Sequence, residues 1–298
     1  MLKLNCFYLK VLVLKMEFED HYRQPQRPKF DCLLFDLDDT LYPYSSGIAA
    51  ACTKNIQDYM VEKLDIEESK ILELSNLLYK NYGTTMAGLR AVGYQFDYDH
   101  YHSFVHGRLP YEKIKPDPVL RSILLSLPIR KLIFTNGDKV HAIKALKRLG
   151  LEDCFEGIIC FETLNQPFSP TENSKETQNI FDIVGHFARP ETGVELPKTP
   201  VLCKPSIEAM EYALKIANIN PQRTIFFEDS TRNILAGKQT GLHTVLVGKS
   251  HRSQGADYAL ESLHNIREAL PELWAEAEQR RAVQYHSGKV ALETSVSA

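Results

Sequence analysis

Short apolar runs punctuate this chain at residues 32–35, 131–134, 157–161, 224–227 and 243–247. Leu, Ile, Val and Phe dominate them. Runs of that length read as strands buried on both faces rather than as half-exposed, alternating ones. Between them the period becomes helical. Leu120, Ile123, Leu124 and Leu127 recur at helix spacing, as do Val140, Ile143, Leu146 and Leu149, which Gly150 terminates. Ile207, Met210, Leu214 and Ala217 follow Pro205, a residue suited to a first helical turn. Another helix passes through Ile234 and Leu235 toward Gly241, and residues 256–270 hold a last short strand and helix. Strand–helix–strand alternation predicts an α/β fold: a Rossmann-like, mostly parallel sheet with helices on both faces.

One stretch departs from that alternation. Residues 45–115 show no strand pattern. Ile48, Cys52, Ile56 and Tyr59 share a helical face. Asp65 with Glu68 reads as a capping box opening a second helix through Ile71, Leu74, Leu78 and Tyr82. Gly83-Thr84-Thr85 breaks it, and shorter helical pieces follow over 86–92 and 98–105. The expected organisation is therefore a core over 29–44 and 116–273, with an inserted small helical cap over 45–115. A long polar insertion, 164–200, lies within the core, and residues 1–28 and 274–298 form a poorly structured extension and a frayed tail. Residues 1–15 are basic and apolar, either a targeting segment or an upstream start, with Met16 as the alternative initiator.

Composition narrows the function classes. The 298 residues carry a formal net charge of -3, with 44% hydrophobic and 24% charged residues. That balance offers no cationic surplus for a nucleic acid polymer or an anionic membrane. The run over 7–14 is too short to span a bilayer. Six cysteines form no CxxC or zinc-ligand spacing, and several sit in apolar runs. They read as reduced core residues of a cytoplasmic protein.

The chemistry gathers at strand ends. Asp36 and Asp38 follow the first strand two residues apart, a spacing that puts both side chains on one side. Two crowded carboxylates stay ionised together around a cation, and an oxygen-only site suits Mg2+ with phosphate oxygens completing its shell. Thr135 and Asn136 end the second strand, Lys204 stands near a helix start, and Glu228 and Asp229 end the fourth strand. Ligands of open α/β sheets bind beyond such carboxyl ends. Clustered carboxylates, a hydroxyl, an amide and one lysine are an inventory for phosphoryl transfer, which asks for positioning and charge stabilisation.

In order and residue type these positions resemble the four motifs of the haloacid dehalogenase-like phosphohydrolases. The resemblance implies Asp36 as nucleophile, forming an aspartyl-phosphate, and Asp38 as general acid and then base. It implies Mg2+ held by Asp36, Asp229, the backbone carbonyl of Asp38, and Glu228 directly or through water. Thr135 and Asn136 would bind phosphoryl oxygens, with Lys204 countering charge. The presence of Asp38 argues for a phosphatase over a dehalogenase. Leu41-Tyr42-Pro43, Tyr82-Gly83-Thr84-Thr85, Gly88-Leu89, Thr135-Asn136-Gly137-Asp138 and Phe227-Glu228-Asp229-Ser230-x-Arg232-Asn233 look like the pyrimidine 5'-nucleotidase branch. That likeness implies nucleoside monophosphates such as UMP and CMP as substrates. It makes Tyr42, Tyr82, Thr84, Thr85, Arg90 and Phe96 candidate substrate contacts on the cap side. The long stretch 164–200 departs from that branch, which leaves two alternatives: a phosphatase for a sugar or cofactor phosphate, and a regulatory interaction protein on a phosphatase scaffold.

Overall fold

The computed structural model describes residues 29–167, 180–190 and 193–274. Its centre is a six-stranded, all-parallel sheet of order β3-β2-β1-β4-β5-β6. The strands are β1 (Cys32–Phe35), β2 (Arg130–Phe134), β3 (Gly157–Ile159), β4 (Thr224–Glu228), β5 (His243–Val247) and β6 (Tyr258–Leu260). Strand β1 is central, between β2 and β4. The sheet order reverses direction there, and a crevice at such a switch point is where this class of sheet binds ligands.

The helices, in chain order, are α1 (Ile48–Leu64), α2 (Glu68–Tyr82), α3 (Thr85–Val92), α4 (Tyr98–Val105), α5 (Pro118–Ser126) and α6 (Lys139–Leu149). Then come α7 (Phe161–Leu164), α8 (Ile183–Ala188), α9 (Ile207–Ile216), α10 (Thr231–Gln239) and α11 (Ile266–Ala269). The strands are buried on both faces because helices cover both. Leu33 and Phe35 pack with Leu120, Leu124, Ala142, Leu146 and Ile266. Cys32 and Leu34 pack with Ala209, Met210, Ala213, Leu214 and Ala236 on the other face. Helices α1–α4 form the cap, whose separate core holds Tyr59, Met60, Leu78, Leu89 and Phe104.

Several local expectations change. Asp65 does not open α2; it closes α1 in the left-handed region at φ 53°. The N-cap of α2 is Glu67, without a side-chain cap bond. Phe161 leaves the third strand and starts α7. Pro205 stays outside α9, which Ser206 caps by accepting a hydrogen bond from the Ala209 amide. In α6 the inward face is His141, Ala142, Ala145, Leu146 and Leu149, while Val140 and Ile143 are 57% and 47% exposed. The small Ala142 and Ala145 let the first turns of that helix lie close to the sheet, and Val140 and Ile143 turn outward there.

Part of the polar stretch 164–200 docks on the cap. Ile183 is buried in the cap core. The Phe181 amide donates to the Val92 carbonyl, and Thr199 Oγ1 donates to the Ala87 carbonyl at 2.7 Å. The expected extension 1–28 and tail 275–298 lie outside the described residues, as do 168–179 and 191–192. Trp274, by contrast, is buried, and its Nε1 donates to Ser126 Oγ. No helix of the described residues is long and apolar enough to cross a membrane.

The cap packs tightly against the core at Gly83. Its φ is +89°, and a Cβ there would stand 2.5 Å from the Lys204 carbonyl oxygen. Gly150 has φ +69° but open space around it. Alanine at Gly150 should therefore cost only left-handed strain, about 1–2 kcal/mol. Gly83→Ala adds a backbone clash and should lower the urea midpoint by clearly more than Gly150→Ala. Equal losses in the two variants would remove the close approach as a constraint.

Candidate active site

The carboxyl ends of β1, β2 and β4 bring the expected side chains together. Asp36 prolongs β1, its amide donating to the Phe227 carbonyl at 2.9 Å. Lys204, 1% exposed, reaches into the same space from the loop before α9. Its Nζ donates to Asp36 Oδ1 at 2.7 Å, Glu228 Oε2 at 2.8 Å and the Phe134 carbonyl at 2.8 Å. All three ammonium protons are thus placed. Burial opposes that charge, but Asp36 and Glu228 outweigh it and hold the lysine above its ordinary pKa. Thr40 Oγ1 donates to the other oxygen of Asp36 at 3.1 Å.

One carboxylate oxygen each from Asp36, Glu228 and Asp229 lie within 4.8 Å of one another. Burial, then Glu228, pushes Asp36 up to about 7 in spite of Lys204. Burial also lifts Glu228 to about 7 against the pull of Lys204, and Asp229 to about 6 with help from Asp36. Asp39, raised to about 6 by burial and then by Asp38 and Asp36, has a buried Oδ1 with no hydrogen-bond partner among the described residues. One lysine against this many buried acids leaves negative charge uncompensated. A hard divalent cation fits that oxygen donor set, and Mg2+ is the natural occupant. Asp39 was not expected in the site; its φ of 61° is the only local oddity, and the sequence does not reveal it.

Asp38 faces the other way. Its Oδ1 receives His141 Nε2 at 2.6 Å and the Tyr42 hydroxyl, and Thr135 Oγ1 lies 3.5 Å from its Oδ2. Its carboxylate is outside the metal cluster, so only its main chain remains for a cation. Burial opposes ionisation of Asp38, but His141, then Tyr42, hold it below the usual carboxylate range. The side chain is 40% exposed, so water screens part of that field. His141 is itself 2% exposed; burial disfavours its charge, yet Asp38 raises its pKa. Tyr111 Oη bonds its Nδ1 at 2.8 Å.

Other expected residues occupy different roles. Tyr42 is 4% exposed in the core and serves Asp38 rather than the cap side. Asn136 has both ends of its amide engaged by the Lys204 backbone, donating to its carbonyl at 3.0 Å and accepting its amide at 2.8 Å. It is a strut for the lysine, with one N–H of the amide committed to that role. Thr135 Oγ1 accepts the Gly137 amide at 2.9 Å. Thr84 caps α3 through the Ala87 amide. Arg90 donates to the Tyr94 carbonyl and Gln95, with its guanidinium over the Phe96 and Tyr98 rings. Thr85 and Phe96 are buried in the cap, and the Tyr82 hydroxyl is buried without a partner among the described residues. His141 was missed, although Asp138 as a helix N-cap three residues earlier marks the turn that delivers it.

Residues 30–241 match the sequence model of the haloacid dehalogenase-like hydrolases. The chain belongs to that family of hydrolases. Among curated proteins it is 31% identical over 139 residues to Phosphate metabolism protein 8 of Saccharomyces cerevisiae, covering 44% of this chain. That match spans 43% of the yeast protein's own length. It is 23% identical over 253 residues to the Glyceraldehyde 3-phosphate phosphatase of Methanocaldococcus jannaschii, covering 78% of this chain and 94% of that one. Among solved structures, CbbY from Rhodobacter sphaeroides in complex with phosphate is similar at TM-score 0.49 and 15% identity, covering 80% of this chain and 96% of that chain. A HAD phosphatase from Thermococcus onnurineus has TM-score 0.47 and 19% identity, covering 80% and 97%.

The acid cluster has a measurable consequence. From about pH 4 to about pH 7 the folded, metal-free site holds more protons than the unfolded chain, because the folded pKa values of Asp36 and Glu228 are raised. Its contribution to stability is present below that window and lost as pH rises through it. Mg2+ binding removes the repulsion, so the Mg2+-induced rise in Tm should grow across the same window. A rise in Tm that is independent of pH, or absent, in differential scanning calorimetry would break the link between these carboxylates and the ion.

Proposed function

We propose that this protein is a magnesium-dependent phosphomonoester hydrolase acting through an aspartyl-phosphate on Asp36. The observation that carries the reading is the division of labour between two aspartates two residues apart. Asp36 sits with Lys204 in the metal cluster, and Asp38 sits with His141 and Tyr42 outside it. The ion, when bound, neutralises phosphate charge and keeps Asp36 ionised. Asp36 Oδ1 or Oδ2 then attacks phosphorus, and the phosphorus–oxygen bond to the leaving alcohol breaks. The alcohol needs a proton. Asp38 is held below the usual carboxylate range, and His141, whose pKa the Asp38 carboxylate raises, stands 2.6 Å away as the group that can return a proton through Asp38 to the alcohol. In the second half Asp38 accepts a proton from the water that hydrolyses the acyl-phosphate. Lys204 holds Asp36 in place and offsets the charge that builds up there.

The pairing changes the expectation for Asp38, which acts with its histidine rather than alone. His141→Gln should lower kcat by about 10²–10⁴-fold. It should also move the alkaline limb of the kcat profile, because the proton reservoir is gone. A purely structural role would lower activity without altering the profile's shape.

For substrate class, the similarity to a glyceraldehyde 3-phosphate phosphatase over most of the chain supports a small sugar-type phosphate. The nucleoside monophosphate reading, UMP or CMP, has its support in the motif likeness around Tyr82–Thr85. None of the relatives above carries the name of a pyrimidine nucleotidase. Of its candidates, Thr84 Oγ1 accepts the Ala87 amide and Arg90 Nη1 donates to the Tyr94 carbonyl and Gln95 inside the cap. A panel of triose, hexose and nucleoside monophosphates, with and without Mg2+, separates the two. We expect Mg2+-dependent phosphate release, highest on a sugar-type ester and abolished by Asp36→Asn. Preference for UMP or CMP reinstates the nucleotidase reading. Release that persists in Asp36→Asn removes the covalent mechanism.

A further inference from the structure

The seam between cap and core holds a second group of metal-ligand side chains that the reaction does not use. His102 lies in α4, and His106 follows one turn later, so both rings fall on one helical face. That face looks at Asp138, the N-cap of α6. His106 Nδ1 is 2.5 Å from Asp138 Oδ1, and His102 Nδ1 is 3.8 Å from the same oxygen. One ligand atom from each residue lies within 4.8 Å of the others. The remaining oxygen, Oδ2, is occupied by the Val140 and His141 amides, which fixes the carboxylate's orientation.

His102 is the anomaly. Its side chain is 7% exposed, yet neither ring nitrogen has a hydrogen-bond partner among the described residues. An unsatisfied buried polar group costs about 1–3 kcal/mol, and native structures keep few of them. Burial, then His106, pushes its pKa down to about 3, so it is a neutral imidazole with a lone pair to give. Edge-on packing against Phe161, with ring centroids 4.6 Å apart, fixes its plane. A cavity of about 370 Å³ opens beside the group and is lined by His102, His106, Tyr111, Asp138, His141 and Glu162.

We propose that His102, His106 and Asp138 form a second metal site, for a borderline transition cation of the Zn2+ kind, that ties the helical cap to the sheet core. Two imidazoles and a carboxylate suit such an ion, whereas the acid cluster with oxygen donors alone suits Mg2+. Ligands about 2.0–2.1 Å from a tetrahedral ion stand roughly 3.3 Å apart. The observed 2.5 and 3.8 Å separations bracket that value, and all three ligand atoms lie within 4.8 Å of one another. Binding displaces the proton shared by His106 and Asp138. Because α4 belongs to the cap and Asp138 to the core, an ion here fixes one against the other. The His106 ring also stacks on His141 at 4.6 Å, so the clamp touches the partner of Asp38.

The test uses the full chain, stripped of metal and kept in excess Mg2+ so that the acid cluster is filled. Titration with Co2+ should give one equivalent bound with the strong visible absorption of a low-coordinate nitrogen site. Zn2+ should displace it and raise Tm. His102→Gln and His106→Gln should each weaken Co2+ binding by at least about tenfold, while Asp229→Asn keeps the band. Circular dichroism checks that each variant is folded; should one fail, the other histidine variant decides. The proposal is overturned by absence of the band in Mg2+. It is also overturned by a band that survives in the folded histidine variants, or by one lost in Asp229→Asn.

Discussion

A buried ammonium group between two buried carboxylates holds this structure's working end together. Lys204 Nζ touches Asp36, Glu228 and the last carbonyl of β2, and so pins the ends of three adjacent strands around one charge. Taking these ions out of water is expensive, and removing one partner of such a group costs about 3–5 kcal/mol. The surrounding chain is arranged to keep the lysine still. Asn136 clamps its backbone from both sides, and the cap reaches over it at Gly83, where no side chain fits. The motif lysine therefore serves two purposes, closing the sheet's end and setting the direction of the Asp36 carboxylate.

That arrangement leaves more negative charge than one lysine can neutralise, and the surplus separates the two aspartates. Asp36, with Glu228 and Asp229, is in a cluster whose burial favours protonation unless a cation is present. Asp38 is turned out of the cluster by hydrogen bonds to His141 and Tyr42. The proposed mechanism asks for an ionised nucleophile and for an acid–base group that can exchange a proton. The same two-residue spacing gives two different surroundings because β1 ends at Phe35: Asp36 still prolongs it through its amide bond to Phe227, whereas Asp38 already lies in the turn that follows, next to Asp39 at positive φ.

The parallel sheet was legible because each strand is an apolar run ended by polar residues, and each helix repeats at its own period. The acid cluster and Lys204 were legible for a related reason: all fall at strand or helix ends. Finer placement was not. Val140 and Ile143 look like core in sequence, yet the alanines and His141 face the sheet, since close helix–sheet packing favours small residues and that face must carry the ring to Asp38. Asp65 has the letters of a capping box but ends the preceding helix, because caps depend on backbone dihedrals that composition does not encode. Tyr42 and Asn136 read as ligand contacts when considered alone; their partners, Asp38 and the Lys204 backbone, are defined only by the tertiary fold.

The same reasoning explains why the cap–core seam is the part of the molecule with most to determine. The catalytic set comes almost wholly from the core, so the cap's influence has to pass through the few places where the two touch. Gly83 presses on the Lys204 carbonyl, Arg232 of α10 donates to the Tyr79 and Lys80 carbonyls near the end of α2, and His106 bridges to Asp138 and His141. Two of these contacts lead to partners of the two aspartates: Lys204 beside Asp36, and His141 beside Asp38. The cap therefore bears on one partner of each aspartate. In the mechanism proposed above, the position of the cap and the placement of the protons are for that reason coupled through these two contacts.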